Sequence, residues 1–303
     1  VAAIETRDAG APGPGWAVWL EAARPRTLPA AVAPIVVGTA VAAAEGSFVP
    51  WVAAVALGTA LLLQIGANLA NDVADFERGA DGADRRGPRR ATAAGLVSPA
   101  AMRRATAGVL AAAALLGALL VWQGGPPIAA AGAASLAAAL LYTGGPWPLG
   151  YHGLGDLLVF LFFGLVGVAG SHYVLALHTS PAAWAAAVPV GLLATAILAV
   201  NNLRDIPSDR RAGKRTLAVR LGDRATRRYY AGLVLGAPAT VVAAAAAGLL
   251  PPGALLCLLA LPFLLRLVRA VARAEGAALN PLLGRTARTG TAFALLLAAG
   301  AGV

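Results

Sequence analysis

The sequence predicts an all-α, polytopic membrane protein with nine transmembrane helices, and three observations carry that expectation. Hydrophobic residues make up 59% of the 303 positions and charged residues only 13%, with a mean hydropathy of +0.73, far outside the balance of a soluble domain. Apolar runs close to the roughly 20 residues that a helix needs to cross a bilayer recur nine times along the chain. The 24 Lys and Arg residues collect on alternate sides of those runs, as crossings with a cytoplasmic positive bias require.

Residues 1–20 read as a disordered cytoplasmic tail. The first fifteen carry Gly10, Pro12, Gly13 and Pro14 but neither an apolar h-region nor a cleavage pattern, so they do not read as a signal peptide. The remainder, 21–303, reads as a single transmembrane domain with spans at about 28–46, 51–73, 101–122, 126–143, 155–177, 182–203, 228–248, 253–272 and 286–303. Ala and Gly supply much of the apolar count, which predicts close helix contacts, because helix association within lipid depends on packing.

All basic residues fall in or beside the tail and the loops after spans two, six and eight, and none falls in the opposite loops. The tail and those loops are therefore expected in the cytoplasm and the C-terminus on the far side of a cell (plasma or inner) membrane. The formal charge of +10 is a topology signal and an attraction for anionic headgroups or substrates. No module of interleaved basic and aromatic residues points to nucleic acid. Cys257, in an apolar run, excludes a disulfide within the chain and a cysteine-based metal cluster. His152, His172 and His178 show no HxxxH or HExxH spacing, so zinc chemistry is not expected, and mid-span His172 is expected to hydrogen-bond to a neighbouring helix.

Two polar strings interrupt the apolar background, each at the end of a span: Asn68-Leu-Ala-Asn71-Asp72-Val-Ala-Asp75 and Asn201-Asn202-Leu-Arg204-Asp205-Ile-Pro-Ser-Asp209. An uncompensated Asp at membrane depth costs roughly 2.5–3.5 kcal/mol on insertion scales, so both call for a functional reason. On a helix Asn68, Asp72 and Asp75 share a face, and so do Asn202, Asp205 and Asp209. The four spans between the strings keep both on the same side of the membrane. One or two carboxylates per string, with phosphate and water completing the shell, suit Mg²⁺, so the pair reads as two Mg²⁺ clamps on one diphosphate. Asp72, Asp75, Asp205 and Asp209 are the metal candidates, with Asn68 and Asn202 beside them.

Basic loops follow both strings, and Lys214 and Arg215 are the first choices for diphosphate contact, with Arg89 in the other loop. Arg24 and Arg26 stand at the entrance of span one, either as snorkelling anchors or as binding groups. The Gly/Pro-rich connection from Tyr142 to Asp156 has aromatic residues that either anchor at the interface or stack on an aromatic substrate. Asp156 is either a helix N-terminal charge or a polar contact for an acceptor.

These strings resemble the UbiA superfamily of intramembrane prenyltransferases, and specifically its 1,4-dihydroxy-2-naphthoate branch. The matching segments are Ala23-Arg-Pro-Arg-Thr-Leu-Pro29, the first Asp string with Gly79-Ala-Asp81, Gly87-Pro-Arg-Arg90, Tyr142-Thr-Gly-Gly-Pro146, Gly153-Leu-Gly-Asp156, and the second Asp string with Gly213-Lys-Arg-Thr-Leu-Ala-Val-Arg-Leu-Gly222. The wider superfamily often carries an Asp four residues beyond the position of Asp75. Gly79 stands there and Asp81 is the nearest acid, which favours the naphthoate branch over the hydroxybenzoate one.

The resemblance implies nine helices around a central cavity, a cytoplasmic cap made by the two Asp-bearing loops, and a lateral opening for a polyprenyl chain. It implies polyprenyl diphosphate and 1,4-dihydroxy-2-naphthoate as substrates, Mg²⁺ held by the four aspartates, and prenyl transfer with loss of CO₂ to give a demethylmenaquinone. Arg24, Arg26, Tyr142 and Asp156 are then acceptor-binding candidates. The alternatives are a sister enzyme with a hydroxybenzoate, homogentisate, haem or glycerol phosphate acceptor, and, from another class, a transporter with paired polar half-sites.

Overall fold

The computed structural model describes residues 15–80 and 90–302, and every described element is helical. In chain order these are α1 (Trp16–Ala23), α2 (Leu28–Ala44), α3 (Pro50–Glu77), α4 (Pro99–Gly124), α5 (Pro126–Leu141), α6 (Gly155–Ala176), α7 (Pro181–Arg211), α8 (Leu217–Leu221), α9 (Asp223–Ala246), α10 (Pro252–Arg273) and α11 (Asn280–Ala301). The starts are written in the sequence. Pro50, Pro99, Pro126 and Pro181 each open a helix, where a missing N–H costs nothing. Ser98 and Ser180 cap two of these by accepting from Ala101 N and Ala183 N at 3.2 and 3.1 Å.

Among the described residues, seven helical segments are long and apolar enough to cross a membrane, α1 and α2 counting as one. The other two expected spans coincide with α5, of 16 residues, and α11, which carries Arg285 and Arg288. Residues 16–20, expected in the tail, are helical, because Trp16, Val18, Trp19 and Leu20 give α1 an apolar surface and Val18 and Trp19 pack against a buried cluster that includes Leu69, Val73 and Met102. Residues 1–14 lie outside the described residues.

α7 is the most enclosed helix and packs on α2, α6, α9 and α11. Its Val190, Leu193, Val200 and Leu203 join Val37, Val234, Val241, Phe293 and Leu297 in the main core. Small residues set the spacing, as the composition predicts: a Cβ on Gly164 of α6 would lie 2.7 Å from the Cα of Gly191 on α7. The middle of α6, Phe160–Ala169, is wound as a π-helix. Exposed tryptophans occur at both ends of the helical array, Trp16 and Trp147 at one and Trp51, Trp122 and Trp184 at the other, in the manner of interfacial aromatic belts.

Both acidic strings lie within helices. α3 runs to Glu77 and α7 to Arg211, past the expected ends at 73 and 203. Each carries its aspartates in its last two turns, so the residues assigned to capping loops are helical extensions of the spans.

Candidate active site

The helical extensions of α3 and α7 stand over a cavity of about 1000 Å³. Its wall runs along α3 from Ala56 to Asp75, a length of roughly 28 Å at 1.5 Å per residue. Away from the acidic end the wall is mostly apolar, with Leu63, Val121, Ile128, Leu136, Phe162 and Phe163, and Thr59, Ser135 and Ser171 are its hydroxyl residues. At the acidic end it turns polar: Asp75, Asp205 and Asp209 meet Arg24, Arg26, Arg90, Arg204 and Lys214, with Asn68, Asn71, Asn201, Asn202 and Asn280 between them. One end therefore offers charge and hard oxygen atoms, and the rest offers hydrocarbon.

Asp75 is the meeting point of the two strings. Its Oδ2 accepts from Arg90 Nη2 at 2.8 Å, and its Oδ1 accepts from Lys214 Nζ and from Tyr151 Oη, each at 2.8 Å. Lys214, just beyond the second string, thereby reaches the carboxylate of the first. Its ammonium also sits 4.6 Å from the centre of the Tyr151 ring, a cation–π contact. Arg78 fastens the connection that carries Tyr151 by donating to the carbonyls of Thr143 and Gly145, and Thr143 Oγ1 donates to Asn71 Oδ1 at 2.7 Å.

Across the mouth, Arg204 binds both oxygens of Asp205, Nε to Oδ1 at 2.7 Å and Nη2 to Oδ2 at 2.6 Å. The same guanidinium donates to Asn201 Oδ1 at 2.9 Å and Asn280 Oδ1 at 2.8 Å. Its planar fork fixes the Asp205 carboxylate, the first turn of α11 and the start of the second string together. Asn68 donates to the carbonyl of Ala23 at 2.9 Å and to Thr27 Oγ1 at 3.1 Å, which ties the α1–α2 junction, and so Arg24 and Arg26, to α3.

Not every expected residue faces the cavity. Asp72 is buried behind Asp75, where its two oxygens accept from the backbone N–H groups of Ala91 and Thr92 at 3.1 and 3.0 Å. It secures the segment that delivers Arg90. Arg215 is exposed and joins the structure through its backbone, its N–H donating to the carbonyl of Tyr151 at 2.8 Å. Asp156 is buried and hydrogen-bonded to Tyr229, away from the cavity wall. Arg24, Arg26 and Tyr142 do line the cavity. Arg89 and Asp81 lie outside the described residues.

Several site residues were missed on the sequence. Arg204 and Asn201 stood inside the second string, and their signal was a polar pair at the end of an apolar span. Arg90 was visible as a basic loop residue, while Tyr151 read only as an interfacial aromatic. Nothing in the sequence marked Asn280.

The chain has relatives among known proteins. A family model described as the UbiA prenyltransferase family matches residues 31–300. The chain belongs to the UbiA prenyltransferase family. Within it, the chain is 43% identical over 288 residues to the 1,4-dihydroxy-2-naphthoate octaprenyltransferase of Escherichia coli, covering 89% of this chain and 90% of that protein. It is 47% identical over 219 residues to the protein of the same name from Mycobacterium tuberculosis, covering 72% and 75%. In fold it is similar to a UbiA homologue from Aeropyrum pernix, with a TM-score of 0.67 at 19% identity over 91% of this chain and 97% of that one.

As a site for a UbiA-type divalent ion, the cavity mouth fits by its chemistry: the oxygens of Asp75, Asp205, Asp209, Asn68 and Asn202 are hard donors on facing helices. In the structure Asp75 and Asp205 are held by cationic side chains, so these two carboxylates are already paired with positive charge.

Proposed function

We propose that this protein transfers a polyprenyl group from polyprenyl diphosphate to 1,4-dihydroxy-2-naphthoate, with decarboxylation, in menaquinone biosynthesis. The observation that carries the reading is the cavity itself, which has a charged mouth for a polyanionic head and a long apolar shaft for a hydrocarbon tail. The kinship to dihydroxynaphthoate enzymes over most of the chain supports that acceptor.

Asp75, Asp205 and Asp209 would hold Mg²⁺, with Asn68 and Asn202 adjacent and Asp72 supporting from behind. When bound, the ion supplies charge neutralisation for the diphosphate as it departs. Lys214 and Arg90 already converge on Asp75, so they are placed to donate to phosphate oxygens as charge builds on the leaving group. Arg24 and Arg26, held at the mouth by the Asn68 junction, would take the carboxylate of the acceptor. The allylic C–O bond breaks with its electron pair leaving on diphosphate, and the electron-rich ring carbon that bears the carboxylate forms the new C–C bond. The electrons of the carboxylate's C–C bond return to the ring as CO₂ leaves, which gives the quinol form of a demethylmenaquinone. That balance needs no protein base. The apolar shaft keeps water from the allylic centre.

In this reading α5 and α11 also cross the bilayer, which gives nine crossings, and the basic end faces the cytoplasm with a cap formed by the segments around Arg78, Tyr151 and Lys214. The test is to incubate detergent-purified protein with Mg²⁺, a polyprenyl diphosphate and 1,4-dihydroxy-2-naphthoate, with and without EDTA, and to analyse the lipid extract by mass spectrometry. A prenylated, decarboxylated naphthoquinone that disappears with EDTA is expected. Product with hydroxybenzoate or another acceptor, and none with dihydroxynaphthoate, would overturn the acceptor assignment.

A further inference from the structure

At the opposite end of the helices from the acidic strings, three side chains distant in sequence converge. Glu45 follows the last turn of α2, His172 lies in the last two turns of α6, and His178 stands in the turn before α7. His172 Nε2 is 2.7 Å from Glu45 Oε2, His178 Nε2 is 3.4 Å from the same oxygen, and the three ligand atoms all lie within 4.8 Å of one another. The two imidazoles meet edge to face at 5.5 Å between ring centres.

We propose that Glu45, His172 and His178 form a binding site for one borderline divalent transition-metal ion of the Zn²⁺ type, separate from the acidic mouth. Two imidazole nitrogens and one carboxylate with room for a water are a Zn²⁺ donor set, whereas the all-oxygen mouth favours Mg²⁺. Tetrahedral Zn²⁺ with bonds near 2.0–2.1 Å separates its ligand atoms by about 3.3 Å. The His178–Glu45 pair already has that spacing, and the His172–Glu45 pair has only to open from its hydrogen-bonded distance.

The surroundings orient the donors. His178 Nδ1 lies 3.0 Å from the carbonyl of Ala176, which fixes the proton there and turns the Nε2 lone pair toward Glu45, as second-shell partners of metal-bound histidines do. His172 is fully buried, and its Nδ1 has no hydrogen-bond partner among the described residues. Its Nε2 is the nitrogen turned toward Glu45 and also lies 3.4 Å from Ser180 Oγ, so that atom is the one an ion at the cluster would meet. Between the histidines, Leu177 takes φ +60°, a left-handed conformation unfavourable for a leucine, and this sharp turn brings His178 back over His172. An ion here would fasten the α2–α3 turn to the α6–α7 turn beneath the apolar end of the cavity, so its expected role is structural.

The experiment uses full-length protein purified without a polyhistidine tag, stripped with chelator and dialysed against radiolabelled Zn²⁺ in excess Mg²⁺, which occupies oxygen-donor sites. One Zn²⁺ per chain and a raised melting temperature are expected. His178→Ala and Glu45→Gln, at partly exposed positions chosen to spare the buried His172, should each weaken Zn²⁺ binding by about 100-fold or more and leave the Mg²⁺-dependent activity unchanged. Wild-type protein that binds no Zn²⁺ in excess Mg²⁺, or variants that bind it as wild type does, would overturn the proposal.

Discussion

Asp75→Asn is the substitution that most sharply tests the junction between the two acidic strings. It preserves the shape of the side chain and removes the charge that Arg90 and Lys214 both approach at 2.8 Å. The Asp75 and Arg90 side chains are 3% and 6% exposed and Lys214 is 13% exposed, so water screens these pairs weakly. Removing one partner of a buried ion pair costs about 3–5 kcal/mol. Asn retains one acceptor for Tyr151 and Lys214 can turn toward the cavity, which places the expected loss at the lower end, about 3 kcal/mol. At roughly 2–4 °C per kcal/mol, the melting temperature should fall by about 6–12 °C.

The protein carries its own reporter for that shift. Cys257 is the single cysteine and is fully buried, so the temperature at which a thiol-reactive fluorophore labels it marks loss of the core. Adding Arg90→Met to Asp75→Asn should cost less than Arg90→Met costs in the wild-type protein, because the two side chains share one ion pair. A labelling curve for Asp75→Asn that overlays the wild-type curve would refute the ion-pair junction.

Asp72→Asn should lower stability by about 1–3 kcal/mol, the cost of leaving a buried donor of the Ala91–Thr92 backbone unsatisfied, and activity should fall without rescue by excess Mg²⁺; rescue would make Asp72 a metal ligand instead. Arg204→Lys supplies a point charge where Asp205, Asn201 and Asn280 need a planar fork, so a large loss of turnover is expected with the protein still folded; turnover near wild type would show that the fork is dispensable. Tyr151→Phe removes one hydrogen bond to Asp75, worth about 1.5–3 kcal/mol with a charged acceptor, and should reduce the melting temperature less than Asp75→Asn does, measured by the same thiol labelling. Gly132 lines the cavity with open space where a Cβ would go, so Gly132→Phe should fill the shaft and shift preference toward shorter prenyl diphosphates; an unchanged chain-length profile would place the tail elsewhere.

The spans were legible because their signal is local, apolar runs of fixed length, whereas the starts at Pro50, Pro99 and Pro181 and the caps at Ser98 and Ser180 emerge from the structure. The acidic strings were legible for the same reason, since the helical period alone puts Asn68, Asp72 and Asp75 on one face. Period does not say what that face meets, and so Asp72 turned to a backbone turn while Asp75 faced the cavity. The decisive contacts join residues far apart, Tyr151 to Asp75 across 76 positions, Lys214 to Asp75 across 139 and His172 to Glu45 across 127. A search for histidine spacing therefore passed over the Glu45 cluster, whose members come from separate helical hairpins.

The two acidic strings are expected to act together on a single diphosphate over the cavity. A structure with a non-reactive polyprenyl thiodiphosphate and Mn²⁺, read through anomalous scattering, tests it directly. Metal density is expected between Asp75 on α3 and Asp205 and Asp209 on α7, with the diphosphate at the mouth and the hydrocarbon between Leu63 and Phe162. Metal confined to one string, or a diphosphate bound away from the other, would contradict it.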